Sequence, residues 1–594
     1  MVFKKFASYL EQIEKTASRN DMTQILAKVF EEIDCESTAE MLYLLQGRVA
    51  PLYENIEFGI AEKMMIEAVS NAFRLDSKII RQKNSDLGDI GNTVEFFRQK
   101  EPDPTKNLSL KAVFSHLKEI ALYSGMGSQE RKITVMAKLI NNLDSLSCRY
   151  VVRIPLGKLR LGFSDMTILD SYSWMLAGDK SLRPSIEKAY HVNPDIGQIG
   201  EIIKSKGIRG LKNVKPQVFR PIIMMRAERL SSAEEILNKV DVGLIEPKYD
   251  GFRLQVHFKK NAGAVKLFSR SLEDVTYMYP DIVAGVLKEV GGHEVILEGE
   301  AIGFDVNTES FMPFQETVQR KRKYGIEDKV KEIPLKFFVF DILYIDGKSL
   351  LNTPFKMRRS YLEKAVKITN KVSEDTLMIT AEKNIKDEHS IELAFDEAIS
   401  RGLEGIMIKK NDGIYQPGAR GWNWIKFKRS YSAKIEDTID CLVMGYDFGR
   451  GKRTGFGIGA FLAGVYDEKK DLFMSIAKIG TGLTDDEWRE IKKRADKIRS
   501  LQKPALYEVD KQMAVDVWIK PNIVVEIRAD ELTRSPIHTA GRTLKATKTG
   551  KAQEVDVSGF ALRFPRLERF RDDKRAEETT TLQEIKKMYK QQKH

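Results

Sequence analysis

The sharpest local feature of the chain is the run Glu246-Pro-Lys248-Tyr-Asp250-Gly251-Phe-Arg253. Alternate side chains of a strand share a face, so Glu246, Lys248 and Asp250 are expected to project together. Gly251 then permits a turn or bulge that re-aims Arg253. Taken alone, a lysine beside two carboxylates also reads as a solvated surface ion pair. Two phosphate-binding signatures elsewhere fail in context. Gly347-Lys348-Ser349 ends like a Walker A loop, but the glycine required five positions upstream is Ile342. Gly455 to Ala460 (GFGIGA) opens a strand-like run and lacks the βαβ frame that gives a dinucleotide fingerprint its purpose.

The elements that must position these residues change character along the chain. Its 594 residues exceed one hydrophobic core and predict several domains. Residues 1–215 read as a helical bundle. Asn20 or Asp21 is placed to cap a segment in which Ile25, Leu26, Val29, Phe30 and Ile33 recur at helical spacing, and Gly88, Gly91, Pro102 and Pro104 punctuate the rhythm. Residues 216–432 read as an α+β domain, with strands in GLIEPKYDGFRLQVHF, AVKLFSR, EVILEGEAIGF, LKFFVFDILYIDG and EGIMIKK. Residues 433–594 alternate strands with glycine-rich turns around the helical stretch DDEWREIKKRADKI, the pattern of a small OB-fold β-barrel with a charged C-terminal tail.

Composition limits the classes. Hydrophobic residues at 42% and charged residues at 31% describe an ordinary globular protein. No apolar run approaches membrane-spanning length and the start has no signal-like core, so a cytoplasmic protein without a membrane partner is expected. Cys35, Cys148 and Cys441 form no CxxC pair, which predicts neither a disulfide framework nor a four-cysteine zinc site. A net charge of +12 raises the question of a polyanionic partner.

Lys-Tyr-Asp-Gly followed by an arginine resembles the nucleotide-attachment motif of covalent nucleotidyltransferases, and the other motifs of that superfamily follow in order. They are Phe268-Ser-Arg270, Glu298-Gly-Glu300, Phe338-Val-Phe340-Asp-Ile-Leu-Tyr344, Glu404-Gly-Ile-Met-Ile-Lys409, Trp424-Ile-Lys426-Phe-Lys428, and Arg563-Phe-Pro-Arg566 with Arg571, Asp573 and Lys574. The resemblance covers essentially the whole chain and is nearest to ATP-dependent DNA ligases of the archaeal and eukaryotic type. One position departs: Glu298 stands where the family usually has Asp.

The resemblance implies a nick-sealing enzyme of replication, repair and recombination, using ATP and Mg²⁺, with Mn²⁺ as an alternative metal. Lys248 is the implied nucleophile. Its ordinary pKa of about 10.4 keeps it protonated at neutral pH, and Lys426, Lys428 and a bound cation would disfavour that charge. Arg253, Lys426 and Lys428 suit the charge that builds on a transferring phosphate. Glu300 and Glu404 offer hard oxygen ligands for the metal, Phe340 would stack on adenine, and Glu246 would accept from the adenine amino group. Lys409 belongs to the same cofactor set. Arg270 and Arg420 resemble contacts to the nucleotide or the 5′-phosphate, and Arg571, Asp573 and Lys574 resemble the C-terminal ligase motif. The expected partner is nicked duplex DNA met by a monomer, with a sliding clamp as a candidate second partner. Lys158, Arg160 and a helix capped by Ser164 are placed to meet the DNA backbone. RNA ligase or capping activity fits the lysine chemistry but not the long helical N-terminal region. NAD-dependent ligation would call for a four-cysteine zinc module, and a non-catalytic nick-binding scaffold would not need the lysine and carboxylates.

Overall fold

The computed structural model describes every residue except 105–106, 231, 241, 306–309, 313, 323, 370, 372–373, 402, 429–437, 450–456, 481–482, 547–552 and 592–594. Met1–Lys428 forms one compact unit and Arg429–His594 a second.

From Phe3 to Gly210 the described chain is helical. Apolar residues at helical spacing, such as Leu26, Val29 and Phe30, are buried in a shared core with Phe3, Phe6 and Leu42. The cap of Arg19–Glu32 lies earlier than expected: the Ser18 hydroxyl accepts from the Asp21 amide, so Asn20 and Asp21 fall inside the first turn. Gly88 does end a helix, in the left-handed conformation after Ser77–Leu87. Gly91 instead sits inside helix Ile90–Arg98, where a Cβ would meet Arg153 Nε at 2.5 Å. It is a packing glycine, and the buried Arg153 side chain is the reason.

Beyond the bundle, strands β1 (Arg226–Arg229), β2 (Gly243–Lys248), β3 (Phe252–Lys259), β4 (Ala264–Ser269), β5 (Glu294–Asp305), β6 (Leu335–Ile345), β7 (Gly405–Lys410) and β8 (Arg420–Lys428) form two sheets. One runs β1-β8-β7-β2 with residues 383–384 at its edge, and the other β4-β3-β5-β6 with residues 348–349 at its edge. Antiparallel pairing aligns Glu246 with Met407 and Lys248 with Gly405, and β5 aligns Glu300 with Arg253.

The run Glu246 to Arg253 is therefore not one strand. It leaves the first sheet at Lys248, turns through Tyr249-Asp250-Gly251, and enters the second at Phe252. Asp250 lies in the turn and not on the strand face with Glu246 and Lys248. Gly251 is required by a close approach, because a Cβ there would lie 2.1 Å from the Ala301 carbonyl oxygen.

In the second unit, Ile439–Asp447, Ala460–Asp467 and Leu472–Ile479 form an antiparallel meander. Helix Asp485–Asp496 follows, opened by a capping box between Thr484 and Glu487. The extended chain from Val524 to Ser535 divides into two strands at Ala529-Asp530. Val524–Arg528 pairs with Ile439–Asp447 and with Arg566–Phe570, while Glu531–Ser535 pairs with Gly559–Arg563. The C-terminal region is thus a β-rich assembly of curved sheets ending in helix Leu582–Gln591.

Candidate functional site

A cleft of about 450 Å³ opens within the first unit, walled by strands of both sheets. Lys248, Glu246, Arg253, Arg270, Glu300, Phe340, Lys409, Arg420 and Lys426 all line it. These residues span almost 180 positions of sequence, and the two-sheet architecture brings them to one cavity. Arg270 and Arg420 are exposed at its margin.

At the lysine end, Lys248 is ion-paired with the Glu404 carboxylate, whose other oxygen takes Lys428 Nζ at 3.0 Å. Burial alone would raise the Glu404 pKa, but the two ammonium groups overcome it and hold the carboxyl down at about 2. Lys426 behaves differently. It is half-buried among cations, with Arg229, Lys248 and Lys428 in electrostatic range, and desolvation first and then these neighbours lower it to about 8. Burial pushes Glu300 up to about 7 against the pull of Lys248 and Arg253. Glu404 and Lys428 stand behind Lys248 and do not line the cavity.

Two residues before Lys248 on the same strand, Glu246 lies in a buried polar corner among aromatic rings. Glu246 Oε2 receives Lys409 Nζ at 2.7 Å, and burial favours the neutral form of each partner. The other oxygen, Oε1, receives no hydrogen bond, with Arg359 Nη1 standing 3.6 Å away. A buried acceptor in that state is set up to take a donor from a ligand. Lys409 also donates to the Phe340 carbonyl at 2.9 Å and lies over the Phe340 and Trp424 rings.

Arg253 lines the same cleft. Its Nη2 donates to Glu298 Oε2 at 2.5 Å and its Nη1 to the Met225 carbonyl at 2.8 Å, with the guanidinium 5.2 Å from the centres of Phe340 and Trp424. Its Nε has no acceptor. Glu298, fully buried, also receives Gln255 Nε2 at 3.0 Å and the Tyr415 hydroxyl at 2.8 Å.

Arg571, Asp573 and Lys574 belong to the second unit and cluster there around Asp440. Arg571 Nη1 reaches both Asp440 oxygens at 3.0 Å, Lys574 Nζ reaches Oδ2 at 2.6 Å, and Asp573 clasps Arg571 at 2.7 and 2.9 Å. The hydrogen bond from Arg571 holds Asp573 well below the usual carboxylate range.

Comparison with known proteins decides the family. Residues 2–173 match the DNA ligase N terminus, 224–428 the ATP dependent DNA ligase domain, and 454–574 the ATP dependent DNA ligase C terminal region. A probable DNA ligase of Dictyoglomus thermophilum is 45% identical over 100% of this chain and 98% of its own length. DNA ligase 2 of Thermofilum pendens is 39% identical over 99% of this chain and 97% of its own. The chain belongs to the ATP-dependent DNA ligase family. Its fold agrees along almost its full length with a solved structure described as Pmar-Lig_PreS3, at a TM-score of 0.53 and 17% identity over 95% of this chain and 99% of that one.

Several lining residues of this ligase escaped the sequence reading. Met224 and Met225 enter the cleft from the segment that precedes the first sheet, Arg226 and Ala227 from its strand β1, and Met407, Trp424 and Lys321 also line it. Met407 had a usable signal, since it alternates with Lys409 on β7. The connector had none, because it touches the cleft only through tertiary contacts.

In the helical region, Ser164 precedes helix Asp165–Ala177 and its amide donates to Thr167 Oγ1 at 3.5 Å. The N-terminus of that helix already holds a carboxylate, Asp165, fixed by Gln46 and Tyr190 at 2.7 and 2.8 Å. Lys158 pairs with Glu62 at 2.6 Å and Arg160 with Asp89 at 3.5 Å. Both cations are about half exposed. No helix among the described residues is long and apolar enough to cross a membrane.

Proposed function

We propose that this ATP-dependent DNA ligase seals nicks in duplex DNA through a covalent lysyl-N6-AMP at Lys248. The observation that carries the reading is that Lys248 and Glu246 line one cleft from the same strand, with Glu246 Oε1 a buried acceptor that receives no hydrogen bond. That arrangement suits a nucleotide lying with its base at Glu246 and its α-phosphate at the amine. Phe340 and Trp424 supply the aromatic walls for the base. An acceptor favours the amino group of adenine over the carbonyl of guanine, hence ATP over GTP.

Lys248 attacks the α-phosphorus, its N–P bond forms as the bond to pyrophosphate breaks, and the amine proton must leave. Lys248 lies against the Glu404 carboxylate, so attack requires that pair to open as substrate enters. Lys426, with its charge already weakened, and Arg253 then face the phosphates. Glu300 lines the cleft, with Asp250 and Glu404 in electrostatic range; it would hold Mg²⁺, which takes one or two carboxylates and completes its shell with water and substrate phosphate, and Glu404 would join it once its lysine pairs open. Among the described residues no three acidic, His or Cys side chains are gathered to hold a metal by themselves. Such an ion would add positive charge against the phosphates and lower the proton affinity of the amine. AMP next passes to the 5′-phosphate at the nick, and the 3′-hydroxyl then displaces it.

We read residues 1–215, 216–432 and 433–594 as the DNA-gripping, adenylating and OB-fold parts, with Arg571 and Lys574 serving the nucleotide from the last. Nick sealing of this kind closes steps of replication, repair and recombination. The test is incubation with α-labelled ATP and Mg²⁺ followed by a chase with nicked DNA or nicked RNA. Label that joins the protein and then leaves onto nicked DNA supports the reading. Transfer only to RNA, or no labelling at all, overturns it.

A further inference from the structure

The connector that leads from the helical region into the first sheet is tied down by side chains of β3 and of the loop before β8. Phe219 N–H donates to His257 Nδ1 at 3.0 Å. Gln255 holds Ile222 from both sides, accepting its amide at 2.7 Å and donating to its carbonyl at 3.1 Å. Met225 is held in the same way by two residues: its amide donates to the Tyr415 hydroxyl at 2.9 Å and its carbonyl accepts from Arg253 at 2.8 Å. The next residues, Arg226 and Ala227, line the cavity.

Three of the four tying side chains, Arg253, Tyr415 and Gln255, converge on one anion. Glu298 is fully buried and takes three donors at once: Arg253 at 2.5 Å, Tyr415 at 2.8 Å and Gln255 at 3.0 Å. An uncompensated carboxylate there would be costly, so its three partners are fixed by it as much as they satisfy it. The Tyr415 hydroxyl is the link, because it donates to Glu298 while accepting from the connector. From β5 the single carboxylate of Glu298 reaches partners on β3 and on the loop before β8.

We propose that Tyr415, acting through Glu298, is a positioning residue for ATP: it fixes the angle of Arg253 and holds the connector at Met225 as part of the nucleotide cleft. The inference rests on the reading of this cleft as the adenylation site. It predicts that occupancy of the cleft and order of the connector are coupled, because the same hydroxyl serves both.

The test uses the full-length enzyme and Tyr415→Phe, which removes one oxygen and keeps the ring. In the labelling reaction the KM for ATP should rise roughly tenfold, the scale of one hydrogen bond within a charged network, while kcat stays within about twofold. Hydrogen exchange at the Met225 amide should accelerate, and ATP should protect it less than in the parent. Glu298→Gln, which keeps the shape and removes the charge, should raise KM further. An unchanged KM with unchanged Met225 exchange overturns the proposal, as does a lowered melting temperature with kcat and KM both intact. If the parent enzyme itself takes no label, the adenylation reading has failed, which is a different result.

Discussion

Lys248 must be neutral to attack a phosphate, yet it lies against Glu404, whose carboxyl is held down at about 2. The charges around it are divided by role. Glu404 absorbs Lys428, Lys426 is left with its proton affinity lowered to about 8, and Glu300 is raised to about 7. The Glu300 shift has a consequence for stability. Its folded pKa lies above the ordinary carboxylate value of 4.5, so between about pH 4.5 and 7 the native state binds more protons than the unfolded state. Stability from this group is therefore present at low pH and lost as pH rises through about 7. Replacing Glu300 with Gln should flatten the fall in melting temperature between pH 5 and 7, measured by differential scanning fluorimetry. Parallel curves for parent and variant would contradict the assignment. The sequence order of motifs made Lys248, Glu246, Glu300 and Lys426 legible, but it could not show that Glu404 and Lys428 stand behind the lysine, since that depends on side-chain pairing across three strands.

At the scale of elements, the decisive feature is the turn that carries the chain from one sheet to the other between Lys248 and Phe252. Alternation correctly aimed Glu246 and Lys248 to one side, and glycine at 251 marked the break. What alternation could not indicate is that the break changes sheets, because the partner strand β5 lies some fifty residues away. Gly251→Ala would force a Cβ to within 2.1 Å of the Ala301 carbonyl oxygen. We expect a loss of about 1–3 kcal/mol in urea unfolding, as for an overpacked core site, and a loss of adenylation beyond what that instability explains. Wild-type labelling by this variant would mean that the turn has more room than the structure gives it. The same logic accounts for Gly91 and for the strand that divides at Ala529-Asp530: both signals were local, and long-range packing decided their meaning.

Over the whole molecule, the +12 net charge implies that DNA binding is driven largely by counterion release and weakens steeply with salt. Lys158 and Arg160 are half exposed but paired with Glu62 and Asp89, so DNA phosphates would have to compete for them. Removing both side chains should lessen the slope of log affinity against log salt by about 2, as read by fluorescence anisotropy on nicked duplex. An unchanged slope would move the contact elsewhere on the helical region. A helical N-terminal region and a β-rich C-terminal region were readable at this scale from the change of periodicity near residue 215, while the role of the connector Phe219–Ala227 was not, because its ties are made by tertiary contacts and no motif marks them.

The central claim is that one amine carries AMP. It is tested most directly by incubating the enzyme with ATP and Mg²⁺ and mapping the modified peptide by mass spectrometry, beside Lys248→Ala. The account predicts AMP on the Lys248 peptide alone. It also predicts a fall in overall ligation by about 10⁴-fold or more in the variant, with pre-adenylated nicks still sealed. AMP on any other residue, or undiminished labelling of Lys248→Ala, would contradict it.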